Sequence, residues 1–401
     1  MPRRSSLTPR FADHCMKGTG SISDYVRETL SELVRINSVN PAFAPDAPGE
    51  GPIAEWIAGE LRRLGCTITR REPLPGRASV AGTFKGTGGG RSLMLYAHSD
   101  TVGVDGMEDP WSGAVKDGRL YGRGAYDMKG GLAACLGAVK ALSDAGTRLR
   151  GDVVVCAIAD EETESLGMID MLRVVRTNAA IVTEPTELDV FVAHKGFCWI
   201  EVETLGRAAH GSRYQDGIDA NMRMGRFLAE LDGLERGLRA RPPHPLLGPP
   251  SLHAAVLRGG TGLSTYAASA VLQIERRLVP GESPDGVLAE IQEIIDRLRA
   301  NDAAFEARAR LLLARPALEG SADSGIAHTV IAAAGERLGR APHVSGAAYW
   351  MDAALIAEAG IETVVIGPTG AGAHAAVEWV DLGSVEMLAD ILADAASAYC
   401  A

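Results

Sequence analysis

The sequence contains no run of about 18 uninterrupted apolar residues, the length that a membrane-crossing helix requires. It also lacks a sustained Lys/Arg stripe with interleaved aromatics. Its 40 basic residues are outnumbered by 51 acidic ones, the formal net charge is −11, and aromatics make up only 5% of the chain. Phosphate backbones and anionic lipid surfaces need a basic face, so nucleic acid and membrane are both excluded as partners. Cysteine is scarce and scattered: the six residues, at positions 15, 66, 135, 156, 198 and 400, form no C-x-x-C. That spacing argues against a disulfide framework and a cysteine-type zinc site, and it fits a reducing cytoplasm. The first 20 residues, "MPRRSSLTPRFADHCMKGTG", are basic but have no apolar core of a secretory signal. They read as part of a flexible tail over 1–21.

What the chain does have is length and apolar content. At 401 residues, 46% of them hydrophobic, it exceeds one ordinary core, and two domains, or one interrupted by an insertion, are expected. Regular structure is expected from Ser23, as N-cap of "DYVRETLSELVRI", followed by a helix "IAEWIAGELRRLG" that stops at Gly65. Apolar runs at 92–98, 152–159 and 179–185 alternate with helical segments at 128–145 and 165–177, the pattern of a largely parallel sheet covered on both faces. From about residue 188 the texture changes. "FCWIEVETLG" and "AVLQIERRLV" alternate strictly, with helices at 218–237 and 284–299, so an α+β insertion with a half-exposed antiparallel sheet is expected over 188–312. The helix and buried-strand pattern then returns over 313–401. The fold class is therefore α/β, with a mostly parallel sheet over 22–187 and 313–401 interrupted by a smaller α+β unit.

Open α/β sheets bind ligands beyond the carboxyl ends of their strands, and here each such end carries a metal-ligand type. "LMLYAHSD" ends with His98 and Asp100, "YGRGAYDMKGG" presents Asp127, "IADEE" presents Glu161 and Glu162, "IVTEP" presents Glu184, and "GAGAHAAVEW" supplies His374. Histidines and carboxylates converging from five segments suit two divalent ions of the zinc class, with one carboxylate shared between them. In extended chain, residues i and i+2 face the same way, so His98 is read as a ligand and Asp100 as the partner of its other ring nitrogen. Glu161 and Glu162 are adjacent and face opposite sides if extended, so one is expected to ligate and the other to act as general base. The glycine-rich "GRGAYDMKGG" and "GPTGAGAH" do not continue into G-K-[ST], so nucleotide binding is unsupported. His194, His244, His253, His328 and His343 lie outside the strand-end set and are read as structural.

From about residue 22 to the C-terminus, "HSDTV", "GRGAYDMKGG", "DEE", "TEP", "AAHGS" and "GAHAAVEW" stand in an order that resembles the di-zinc metallopeptidase and deacylase family. That family includes acetylornithine deacetylase, succinyl-diaminopimelate desuccinylase, aminoacylase and glutamate carboxypeptidase. The resemblance implies that His98 and Glu184 hold one metal, Glu162 and His374 the other, that Asp127 bridges them, and that Glu161 is the catalytic base. It implies two metal ions, zinc with cobalt or manganese as substitutes. It makes the 188–312 insertion a lid that forms a homodimer, with His210 reaching the partner's site to stabilise the oxyanion. It also places Arg277 of "ERRLVPG" at the family's substrate-binding arginine, although a surface ion pair with Glu275 is the alternative. The chain departs from the family pattern at Ser264 and Ala267, where Asn and Pro are usual. The activity so implied is removal of an acyl group from an N-acyl amino acid or similar small amide. The alternatives are a dipeptidase or carboxypeptidase and, in another class, a non-catalytic metal-binding protein of the same fold.

Overall fold

The computed structural model describes residues 20–401, so all but the last two residues of the tail expected over 1–21 lie outside them. The first helix, Ile22–Arg35, is capped by Ser21 rather than by Ser23. Ser21 accepts from the Asp24 N–H while the Asp24 carboxylate accepts from the Ser21 N–H, a reciprocal box. Ser23 cannot build it, because the residue three positions on is Val26, which has no side-chain acceptor. The second helix, Gly51–Arg63, gives way at Gly65, whose φ of +83° favours glycine.

Nine strands form the larger sheet. Its centre is parallel, in the order Val153–Ile158, Leu93–His98, Ala179–Val182 and Glu362–Val365. Flanking strands, including Ser79–Phe84 and Val190–His194, join antiparallel. Across this centre Leu95 lies opposite both Val155 and Ile181, and Ile181 opposite Val364. All four are fully buried, each worth about 1.5–3 kcal/mol relative to exposure. Helices Ile22–Arg35, Gly130–Asp144 and Leu382–Tyr399 pack on one another beside the sheet. The helix expected over 165–177 is only Leu166–Met171; a turn over 172–174 follows, and β-branched Val174 and Val175 lie outside the helix.

A second sheet is antiparallel, in the order Ser251–Gly259, Ser269–Leu278, Gly196–Leu205 and Ala307–Arg315. Helices Ala220–Arg239 and Pro284–Asn301 supply its core through Phe227 and Ile291, against Ile200 and Leu272. The expected border at 188 falls too early, because Val190–His194 pairs within the larger sheet. The second sheet begins at Gly196 and ends at Arg315. On Ser269–Leu278 the polar face holds Gln273, Glu275 and Arg277, as alternation predicts. Arg276 is the exception: it is buried on the apolar face, 2.5 Å from Glu282 and 3.4 Å from Glu290.

A third, four-stranded sheet of very short strands was not expected: Gly370–Ala371, Trp379–Asp381, Arg119–Tyr121 and Ala114–Lys116. Strands of two or three residues are too short to show periodicity. Among the described residues, no helix is long and apolar enough to cross a membrane. All five described cysteines are unpaired and buried.

Candidate active site

The parallel strands deliver their polar residues to one edge. His98 closes its strand, Glu184 follows Val182 by two residues, and Glu161 and Glu162 follow a reversal at Asp160, whose φ is +73°. The reversal matters for the adjacent glutamates. They lie in a turn rather than in extended chain, so strict alternation does not describe their directions. Behind Glu184 the chain passes very close, and a Cβ at Gly367 would stand 1.9 Å from the Glu184 carbonyl oxygen. The third sheet brings together segments far apart in sequence. Tyr121 pairs with Trp379, which places the run to Asp127 beside the run that carries His374.

Two sets of three donors result: His98, Asp127 and Glu184, and Asp127, Glu162 and His374. His98 Nε2 lies 3.2 Å from Asp127 Oδ1 and 3.6 Å from Glu184 Oε1. His374 Nε2 lies 3.2 Å from Asp127 Oδ2 and 3.0 Å from Glu162 Oε2. Asp127 thus turns one oxygen to each set. Glu161 belongs to neither.

The supporting shell explains how these positions are held. His98 Nδ1 meets the backbone carbonyl of Asp100 at 3.0 Å, whereas the Asp100 carboxylate is 3.6 Å away. That carboxylate instead accepts from the Glu161 N–H at 3.1 Å, the Glu162 N–H at 3.2 Å and Asn40 at 3.0 Å. Asp100 therefore orients the imidazole with its main chain and the glutamate turn with its side chain, a division that i, i+2 spacing does not reveal. The Asp160 carboxylate anchors the same turn, accepting from Asn40 at 3.0 Å and from the Leu166 N–H at 3.1 Å. Arg77 pairs with it at 2.6 Å and grips Glu50 through two bonds of 2.7 Å. Glu378 holds the other side: its carboxylate accepts from Arg123 at 2.6 Å and from the Gly124, Tyr126 and Asp127 N–H groups at 3.0 Å each. Tyr96, two residues before His98, donates to Asp352 at 2.6 Å.

The electrostatics call for positive charge. Burial, and then the neighbouring Asp127 carboxylate, push Glu162 up to about 7. Burial is also the main cause that raises Glu184 to about 8, with His98 opposing it. Burial and then Glu184 raise Glu161 well above the usual carboxylate range. Burial opposes ionisation of Asp127 too, yet hydrogen bonds with His374 and His98 hold it well below that range. Hydrogen bonds with Asp127 and Glu162 raise His374 to about 10. Carboxylates and imidazoles this close are a hard-to-borderline donor set suited to divalent cations, and two such cations fit the residues present.

Two expected site residues lie elsewhere in the chain. His210 sits on a loop between the second sheet and helix Ala220–Arg239, with Nδ1 2.8 Å from the Ser212 hydroxyl. Arg277 pairs with Glu275 at 2.6 Å and lies over the Phe197 ring. Sequence reasoning overlooked Asn40, Arg77, Arg123, Asp352 and Glu378. Two carried a signal: Glu378, four residues after His374, and Arg123, four residues before Asp127 within the glycine-rich motif.

Comparison with known proteins adds the following. Residues 94–398 match the model described as peptidase family M20/M25/M40. The chain is 30% identical over 389 residues to an acetylornithine deacetylase of Myxococcus xanthus, covering 94% of this chain and 97% of the relative. It is 31% identical over 305 residues to an N-formyl-4-amino-5-aminomethyl-2-methylpyrimidine deformylase of Bacillus subtilis, covering 70% and 71%. The fold is similar to that of an aminopeptidase from Bacillus cereus, with a TM-score of 0.77, 17% identity, and 94% and 98% of the two chains covered.

Proposed function

We propose, on the premise that the chain belongs to peptidase family M20/M25/M40 and is a hydrolase acting on amide bonds, that it removes the acyl group from an N-acyl amino acid or similar small amide. The observation that carries this reading is Asp127, which turns one oxygen to each of two donor sets while Glu161 stays outside both. His98 and Glu184 would hold one divalent ion, Glu162 and His374 the other, and Asp127 both. Such ions, zinc first with cobalt or manganese as substitutes, would supply a water of lowered pKa and polarise the amide carbonyl.

The chain's own residues do the rest. Glu161, on the turn that Asp100 and Asp160 fix, takes the proton of the attacking water and returns it to the departing amine. Its raised proton affinity suits that exchange. In a homodimer joined through the lid, His210 donates from the neighbouring protomer to the oxygen that becomes negative. Its place on a loop of that unit, with a ring whose hydrogen-bond partner among the described residues is Ser212, is compatible with that task.

The test is Glu161→Gln. It should abolish turnover and leave two equivalents of metal bound; metal loss in parallel with activity would show that ligand and base have been exchanged. N-acetyl, N-succinyl, N-formyl and N-carbamoyl amino acids, assayed beside dipeptides, name the substrate. If only dipeptides are cleaved, the deacylase reading gives way to a dipeptidase.

A further inference from the structure

We infer that Tyr126 and Tyr349 form an aromatic wall of the active site that selects an amide carrying an aromatic ring. Both stand next to the donor sets. Tyr126 immediately precedes Asp127, the residue that the two sets share, and Tyr349 donates its hydroxyl to the carbonyl of Pro185, the residue after Glu184, at 2.7 Å. One tyrosine reaches the site along the chain, the other across it.

Each ring is fixed before any substrate arrives. The Tyr126 N–H donates to Glu378 at 3.0 Å, and the ring lies so close to Gly370 that a Cβ there would stand 2.5 Å from Cδ2 and 3.0 Å from Cε2. Its hydroxyl has no hydrogen-bond partner among the described residues, and the residue is only half-buried. Tyr349 is tethered at its far end by the Pro185 bond, yet it is 44% exposed. Burial is nonetheless the first cause that raises its phenol, ahead of Glu184, Tyr126 and Asp127. A ring hemmed in on several sides and open on one lines a recess, and Tyr126 and Glu184 are its neighbours there. The aromatic contacts among the described residues join His194, Phe197, Trp199 and Trp350, so neither tyrosine stacks on another ring.

Pinned aromatic faces favour a particular ligand. A tyrosine ring is negative over its face and positive at its edge, so a second ring packs on it offset or edge-on with a gain beyond the area buried, which a saturated group of the same bulk lacks. Fixing the ring beforehand removes the entropy cost of ordering it. Charge offers a weaker alternative. After burial, Glu187 acts most on the Tyr126 phenol, which is raised to about 12, but Glu187 is exposed and an ion pair in water adds little. The substrate class is thus an N-acyl amide with an aromatic ring on its amine half or its acyl half. This rests on the amidohydrolase reading above.

The experiment compares metal-loaded wild type with Tyr349→Leu, Tyr349→Phe, Tyr126→Leu and Tyr126→Phe, with metal content measured for each. N-acetyl-L-phenylalanine against N-acetyl-L-cyclohexylalanine tests a ring on the amine half, and N-benzoylglycine against N-cyclohexanecarbonylglycine tests one on the acyl half. Wild type should favour the aromatic member of one pair at least about fivefold in kcat/KM, as two ring contacts warrant. Either Leu variant should remove most of that preference through KM rather than kcat, and either Phe variant should keep it, because the ring remains. If Tyr126→Leu loses metal, Tyr349→Leu carries the decision. A wild type that treats aromatic and saturated rings alike overturns the proposal, as does a preference for N-acetyl-L-lysine over all four. Equal loss on both members of a pair would mean that the tyrosines only prop the chain at Pro185 and Gly370, and it overturns the proposal too. Should wild type cleave none of these amides, the hydrolase reading fails separately. Calorimetry with the same four compounds then decides, since aromatic members that bind no tighter than their saturated partners, or as tightly to Tyr349→Leu as to wild type, refute the wall.

Discussion

Replacing Glu378 by Gln should loosen the Asp127 segment without removing any proposed ligand, and the cost can be worked from the contacts. One carboxylate oxygen accepts from the Tyr126 and Asp127 N–H groups, and the other from Arg123 and the Gly124 N–H. An amide keeps only one oxygen, so its NH2 must face two donors whichever way it turns. In either orientation Arg123, 2% exposed, loses its carboxylate partner, and breaking a buried ion pair from one side costs about 3–5 kcal/mol; if the NH2 faces Arg123, the Gly124 N–H is left unsatisfied as well. If it faces Tyr126 and Asp127, two part-buried N–H groups go unsatisfied in addition, at up to about 1–3 kcal/mol each. Both orientations predict a loss of at least about 3–5 kcal/mol, readable as urea unfolding of the metal-free protein followed by circular dichroism. A displaced Asp127 should also weaken zinc binding by about 10–100-fold in competition with a chelating dye. A stability change under about 1 kcal/mol, well below the cost of a broken buried pair, with unchanged zinc affinity would mean that packing holds Asp127 and the Glu378 bonds are incidental.

Two further tests address other parts of the molecule. His194 is fully buried and pushed down to about 4 by that burial, while an unfolded chain's histidine titrates near about 6.5. Between those values the unfolded state binds more protons, so stability rises with pH across the window. The contribution is complete above the upper value and is lost as pH falls toward the lower, about 3 kcal/mol in all. His194→Phe should flatten that part of the wild-type pH–stability curve, and an unchanged slope would refute the assignment. His210 is tested by mixing. Glu161→Gln and His210→Ala should each be inactive alone, yet statistically exchanged dimers of the two should regain about a quarter of wild-type activity, because half the dimers carry one complete site. No recovery after proven exchange would remove the trans role.

Much of this was legible in the residues, for physical reasons that can be named. His98, Glu184 and the glutamate pair end apolar runs, and the rule that sheet ligands gather at strand carboxyl ends brings them together on paper. Asp127 and His374 were legible as motifs, but what joins them was not: strands such as Arg119–Tyr121 and Gly370–Ala371 are shorter than any period. Asp100 was placed beside His98, yet its main-chain and side-chain tasks depend on where the chain turns after the strand. The buried pairs of Arg77 with Asp160 and Arg123 with Glu378 join positions 83 and 255 residues apart, and long-range charge pairing leaves no local pattern. Alternation predicted the polar face of Ser269–Leu278 but not Arg276, whose partners Glu282 and Glu290 come from the following turn and helix.

The chain leaves the larger sheet after His194 to build the second sheet and returns to it at Leu318, and those two residues are register partners. An excursion of more than a hundred residues therefore starts and finishes on adjacent rungs of one ladder. Because closing a loop costs little more for a long one than for a short one, material between such neighbouring ends can be lengthened, trimmed or exchanged without re-threading the sheet beneath. His210 and Arg277, expected from the sequence to meet the substrate, belong to this exchangeable piece, while the proposed ligands His98, Asp127, Glu162, Glu184 and His374 belong to the part that stays. On the proposed roles, chemistry and selectivity would be carried by separable stretches of one chain. Exchanging the 196–315 unit would test whether it sets which amide is cleaved.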